Sequence, residues 1–284
     1  MMKSLLKTAA LAAGLAGMLT GGVFADHHGK KFDGKRMDAV LAAQPEMIKA
    51  RYEHRHPKET LEFFGVAPGM TVADTLAGQY YGRILLPYLG DNGKLIGVSY
   101  SIGHREIDHK DNAERMASYS SWPERFVSSA DAWRAGSKAS VSAFLFDEVP
   151  ADVEGTVDVF LMLRSTHHLN KYEDEGNRRT KALADIFKTL KPGGVLGVVQ
   201  HRAPAEHSDE WAKGFKGYLK QAPLIEAIKA AGFEFVASSE INANPKDKPT
   251  EDDAVWRLPP SNKSGKNNHI GESDRMTLKF RKPK

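Results

Sequence analysis

Apolar residues fall into two recurring patterns along the chain, short continuous runs and stretches spaced at i, i+3, i+4 and i+7, and the two alternate. Met70 to Ala73, Lys94 to Tyr100, Val141 to Phe146, Thr156 to Leu163, Val195 to Gln200 and Phe233 to Glu240 are runs of strand length, and Met276, Leu278 and Phe280 alternate in a last one. Between them, Tyr81, Ile84, Leu85, Tyr88 and Leu89 share one helical face, as do Leu183, Ile186, Phe187 and Leu190, and again Leu224, Ile225, Ile228 and Ala231 before Gly232. Two short helices are expected around Pro45 and another from Pro57 to Phe64. Asp108 to Tyr119 is a charged helix that Trp122-Pro123 breaks, and residues 124–140 carry no assignable pattern. A long polar connection, 242–274, is expected to lie over the fold, anchored by Trp256, Leu258 and Ile270. Strand-helix alternation of this kind predicts an α/β fold. It is a doubly wound, Rossmann-like, seven-stranded and mostly parallel sheet with helices on both faces, short N-terminal helices and a long connection before the last strand.

In such a sheet, ligands sit beyond the carboxyl ends of the strands. Asp74 places a carboxylate where the first strand gives way to its loop, and Gly78 lets backbone approach a ligand in that loop. An acid followed by a glycine-containing turn resembles the first motif of class I S-adenosylmethionine-dependent methyltransferases. The usual pattern has glycine near 76, 78 and 80, whereas this chain has Leu76, Gly78 and Tyr80. The second strand ends in Ser99-Tyr100-Ser101, where a ribose-binding acid is usual, and the first acid beyond is Glu106. Leu190-Lys191-Pro192-Gly193-Gly194 before the fifth strand is a further mark of the family. The segments at 63–66, 164–167, 194–204 and 241–245 resemble a bacterial group of predicted methyltransferases that often carry signal peptides.

The resemblance implies transfer of a methyl group from S-adenosylmethionine to a small-molecule acceptor. By position it points to Asp74 and Gly78 in the cofactor loop, Arg164 and His167 after the fourth strand, and His201 with Arg202 after the fifth. Tyr80 or Tyr81 is placed to pack beside a sulfonium, Ser99 or Tyr100 to replace the ribose acid with weaker neutral hydrogen bonds, and Asp147 to approach an adenine or to serve as a cap. His167 or His201 is the expected general base, since an imidazole at the mouth of the cleft titrates near neutrality. The alternative is an exported, non-catalytic ligand-binding protein that keeps the fold with a degenerate pocket.

With 41% hydrophobic and 27% charged residues among 284, the chain can bury one large core. Lys3 and Lys7, a small-residue apolar run from Ala9 to Leu19 and Val23-Phe24-Ala25 have the order of a secretory signal. Residues 1–25 are therefore expected to be removed, leaving a single periplasmic or secreted domain over 26–284 without a stable membrane anchor. The absence of cysteine excludes disulfides, thiolate metal sites and a Cys nucleophile. Acids and bases are interspersed, so the net charge of +4 carries no nucleic-acid footprint. His27-His28 and His54 with His56 are the histidine pairs to consider for a metal; surface or capping roles are expected instead, and no metal site is assigned.

Overall fold

The computed structural model describes residues 29–284, so the proposed signal lies outside the described residues. Seven strands are joined in one sheet: β1 Thr71–Thr75, β2 Lys94–Ser99, β3 Ser140–Leu145, β4 Val157–Leu163, β5 Leu190–His201, β6 Glu234–Ser239 and β7 Arg275–Arg281. Their order is β3-β2-β1-β4-β5-β7-β6, and β7 is antiparallel to both neighbours while the first five strands run parallel. Every residue of β4 is buried, as expected of the central parallel strand of a sheet covered on both faces. Asp158 is the polar exception within it. Its carboxylate accepts from the Thr71 amide at 2.8 Å and from Lys191 at 2.5 Å, pinning β1 and β5 to either side of β4.

The helices are α1 Gly34–Ala42, α2 Glu46–Lys49, α3 Tyr52–Arg55, α4 Pro57–Phe64, α5 Gln79–Leu89, α6 Ile102–His109, α7 Ala113–Ser120, α8 Trp122–Ala130, α9 Thr166–Asn170, α10 Arg178–Thr189 and α11 Gln221–Ala230. One core lies where α1, α4, α5 and α8 meet the sheet, and a second where α10 and α11 cover the opposite face. Two strand glycines permit the closest approaches. A Cβ at Gly97 would stand 2.6 Å from Phe126 of α8, and one at Gly197 would stand 2.7 Å from Phe64 of α4. A phenylalanine ring therefore fills each place where a side chain is missing, at a density that admits no added methyl group.

Several boundaries depart from the sequence pattern. Trp122-Pro123 opens α8 instead of breaking a helix, because proline at the first helical turn gives up an amide that has no partner there anyway. The charged stretch before it divides into α6 and α7, with Asn112 capping the second through its side chain. Leu190 to Gly194 is a bulge within β5, not a turn ahead of it. Leu190 pairs with Val157 and Val195 with Val159, and Gly193 takes φ 77°. In the long connection Val255 and Leu258 are buried, while Trp256 is 43% exposed with its ring in edge contact with His167. No helix among the described residues is long and apolar enough to cross a membrane.

Candidate functional site

The strand order reverses between β1 and β4, and the crevice at their carboxyl ends is where an open α/β sheet receives its ligand. On the β1 side, Asp74 and Thr75 are the last strand residues, so the carboxylate is within the strand and buried. Asp74 Oδ1 and Thr75 Oγ1 have no hydrogen-bond partner. Burial pushes the Asp74 carboxyl up to about 8, against a smaller pull from Arg164, so it is largely protonated at neutral pH. Leu76 follows at φ 56°, the left-handed region that favours glycine, and this identifies it as a strained position of the loop. Gly78 has an extended backbone, φ −147°, and a Cβ there would meet only the Leu76 carbonyl at 3.8 Å. Neither backbone nor protein packing requires that glycine, and the space beside it is open.

On the β4 side, Arg164 also takes a left-handed backbone, φ 62°, with its amide donating to the Val199 carbonyl at 2.6 Å. Arg164 Nη1 lies 3.5 Å from Glu272 Oε2. The same buried carboxylate pairs with Arg55 at 3.1 Å, with Arg275 at 3.1 Å and with Arg51. Four guanidinium groups thus surround one carboxylate. Their attraction holds Glu272 down to about 2 despite its burial. Burial and the neighbouring Arg164 depress Arg55 to about 10, beyond what Glu272 restores.

His167 stands in the first turn after β4, 2% exposed. Its Nδ1 lies 3.2 Å from Gln200 Oε1, and the Gln200 amide nitrogen donates to the Gly217 carbonyl at 2.8 Å and the His201 carbonyl at 3.3 Å. With the glutamine oriented this way its oxygen faces the imidazole, so Nδ1 carries the proton and Nε2 keeps a bare lone pair. Nε2 has no partner. Burial, and then His168 beside it, hold His167 well below the ordinary histidine value, so it is a neutral base and a weaker one than its reference pKa implies. His201, 5.4 Å away between ring centroids, is held down in the same way and sets its Nδ1 2.5 Å from Ser273 Oγ.

Arg164, His167 and His201 line one cavity of about 280 Å³ together with Arg55, Leu76, Trp256 and Glu272. Asp74 and Gly78 are not among its lining residues; Arg164 lowers the Asp74 carboxyl against the larger effect of burial. Tyr80 and Tyr81 are buried behind the loop, and the face of Tyr80 carries the Arg55 guanidinium at 4.4 Å, so the cation it meets is an arginine. Ser99 is buried at the end of β2. Asp147 is turned toward α10, its amide donating to Asp185 at 2.7 Å and its carboxylate 3.9 Å from Arg178. Arg202 is an ion-pair partner of Asp274 and Glu240 on the rim of a separate cavity. Among the described residues no cluster of histidines and acids has the arrangement of a metal site. Sequence reasoning missed Arg55, Gln200, Glu272 and Arg275. Only Gln200, the polar end of an otherwise apolar run, left a signal in the chain.

No protein-family model and no curated protein matches the sequence. Among solved structures, the chain is similar to a chain of the complex between the Haloferax volcanii Trm112 methyltransferase activator and a methyltransferase. The identity is 19% and the TM-score 0.50, over 87% of this chain and 98% of that one. It is also similar to a SAM dependent methyltransferase from Aquifex aeolicus, at 17% identity and TM-score 0.49, over 88% of this chain and 99% of that one. A third is the Burkholderia thailandensis 1,6-didemethyltoxoflavin-N1-methyltransferase with bound 1,6-didemethyltoxoflavin and S-adenosylhomocysteine, at 15% identity and TM-score 0.42, over 89% and 80% of the two chains. Likeness at this level defines the fold, a Rossmann-like methyltransferase sheet.

Proposed function

We propose that the protein is a methyltransferase that takes its methyl group from S-adenosylmethionine, acts on a small molecule, and is exported after cleavage behind Ala25. One observation carries the reading. Asp74 Oδ1, Thr75 Oγ1 and Tyr80 Oη after β1, and Ser165 Oγ, Thr166 Oγ1 and His167 Nε2 after β4, are buried polar atoms without partners. Such atoms cost about 1–3 kcal/mol each, and these gather at the two strands that flank the switch point. A polar ligand seated there would supply the missing partners, and the open space beside Gly78 admits it.

These residues fit the cofactor. Asp74, Thr75 and the backbone around Gly78 would hold it, and when bound it supplies a methyl carbon already activated on a sulfonium. The protein then has to align the acceptor, exclude water and take up a proton. His167 Nε2 is the atom that receives the proton, kept in that tautomer by Gln200. Calorimetry of the mature chain tests the reading directly. S-adenosylmethionine and S-adenosylhomocysteine should both bind; absence of binding by either would refute it, and binding without turnover of any acceptor would favour the ligand-binding alternative. N-terminal sequencing of the secreted or periplasmic protein should begin at Asp26, and recovery of an intact Met1 outside the cytoplasm would refute the cleavage.

A further inference from the structure

The charge in the cavity does not balance. Arg51, Arg55, Arg164 and Arg275 share Glu272 as their common carboxylate, and Asp74, on which Arg164 also acts, is held largely protonated by its burial. The side chains of Arg55 and Arg275 are 5% and 3% exposed, which removes them from the water that would otherwise screen them. Arg51 and Arg164 are 23% and 24% exposed, but of these two only Arg164 lines the cavity, and its side chain makes no hydrogen bond among the described residues, its 3.5 Å ion pair being too long for a strong one. Its backbone is held in a left-handed conformation by the bond to Val199, an arrangement whose strain of about 1–3 kcal/mol persists where surrounding structure enforces it. A planar, fork-shaped donor presented in this way matches a carboxylate in two parallel hydrogen bonds.

The remaining walls combine aromatic rings with polar and apolar side chains. The rings of His167, His201 and Trp256 face the cavity with Leu76, Leu258 and Pro260. Its volume of about 280 Å³ is roughly twice the ~150 Å³ of an apolar cavity known to take benzene, enough for one substituted ring.

We infer that the methyl acceptor is a small aromatic carboxylate, its anionic group held by Arg164 with Arg55 behind it and its ring packed against the wall formed by Trp256 and the two histidines. This rests on the methyltransferase reading for the word acceptor, but not for the anion. The geometry then brings the acceptor's other substituents toward His167, a lining residue of the cavity whose Nε2 is buried and has no partner.

The experiment is calorimetry of the protein with benzoate and with benzamide, its neutral counterpart, at one ionic strength. Benzoate should bind at least about tenfold more tightly than benzamide, and Arg164→Gln should remove that preference. Equal binding of the two, or binding of neither by the unaltered protein, would overturn the inference without recourse to any variant. The titration is then repeated on protein saturated with S-adenosylhomocysteine. Benzoate affinity kept within about threefold supports an acceptor's carboxylate. Displacement of benzoate by S-adenosylhomocysteine but not by methylthioadenosine, which lacks the amino-acid carboxylate, assigns the arginines to the cofactor and overturns the acceptor. Failure of S-adenosylhomocysteine to bind while benzoate keeps its preference sinks the methyltransferase reading and leaves the anion site standing.

Discussion

Replacing Asp74 with asparagine should change the pH dependence of stability in a way that few surface substitutions can. The carboxyl is about 8 in the folded protein against 3.8 for the free group, because burial penalises the charged form. Between those values the unfolded chain has lost the proton that the folded chain retains. Stability then falls with rising pH by about 1.4 kcal/mol per pH unit and levels off once the folded carboxyl also ionises. The whole penalty is on the order of 6 kcal/mol, comparable to the entire stability of many domains. Asparagine fills the same volume and carries no charge, so the stability difference between Asp74→Asn and the unaltered protein should grow steadily up to about pH 8. The buried histidines act in the opposite direction, their depressed values making stability rise with pH up to the unfolded value of 6.5, but they are common to both proteins and cancel in the difference. Urea denaturation of both proteins from about pH 5 to about pH 9 measures it. A difference that stays flat across that range would mean that Asp74 is ionised in the fold and paired with Arg164, and the argument from desolvation would be wrong.

Other substitutions separate chemistry from scaffolding. His167→Ala should lower turnover by about 10²-fold or more and also cost stability by stranding Gln200, whereas His167→Asn can restore the bond to Gln200, keep the melting temperature and remain as slow. Gly78→Val should leave the melting temperature unchanged, since its Cβ meets only the Leu76 carbonyl, yet weaken S-adenosylhomocysteine by about tenfold or more in calorimetry. Unchanged affinity would make the loop mere scaffolding. Glu272→Gln should destabilise by about 3–5 kcal/mol in denaturant by leaving buried guanidinium groups unpaired. Because Glu272 is about 2 in the fold and 4.5 when free, its contribution is complete above the free value and is lost as pH falls toward the folded one, which an acid titration of the fold would register.

The alternation of strand and helix was legible because buried parallel strands are continuous apolar runs and the helices covering them repeat at their own spacing. Met276, Leu278 and Phe280 show the same for β7, all three buried as their alternation required. Local conformational choices were less legible. Pro123 reads as a breaker unless its place at a helix start is known, and the glycines of Leu190 to Gly194 suit a turn as well as a bulge. In the site, His167, His201 and Arg164 could be found because polar groups follow directly on apolar strands. Arg55 and Glu272 could not be found, since what unites them is an ion pair across 217 positions of sequence, and no local pattern encodes it. Leu76 illustrates a third case. The sequence showed a side chain where glycine was expected, and the backbone there indeed adopts the angle that glycine favours.

The convergence of arginines on Glu272 also fixes when the site can exist. Arg51 and Arg55 come from ahead of β1, Arg164 from the end of β4, and the carboxylate that neutralises them from just ahead of β7. A growing polypeptide carries three of these cations to completion before their counterion has been made. The cavity is therefore among the last parts of the molecule to be assembled, closing only when β7 docks between β5 and β6. Loss of Glu272 would leave the four guanidinium groups with none of this charge balance.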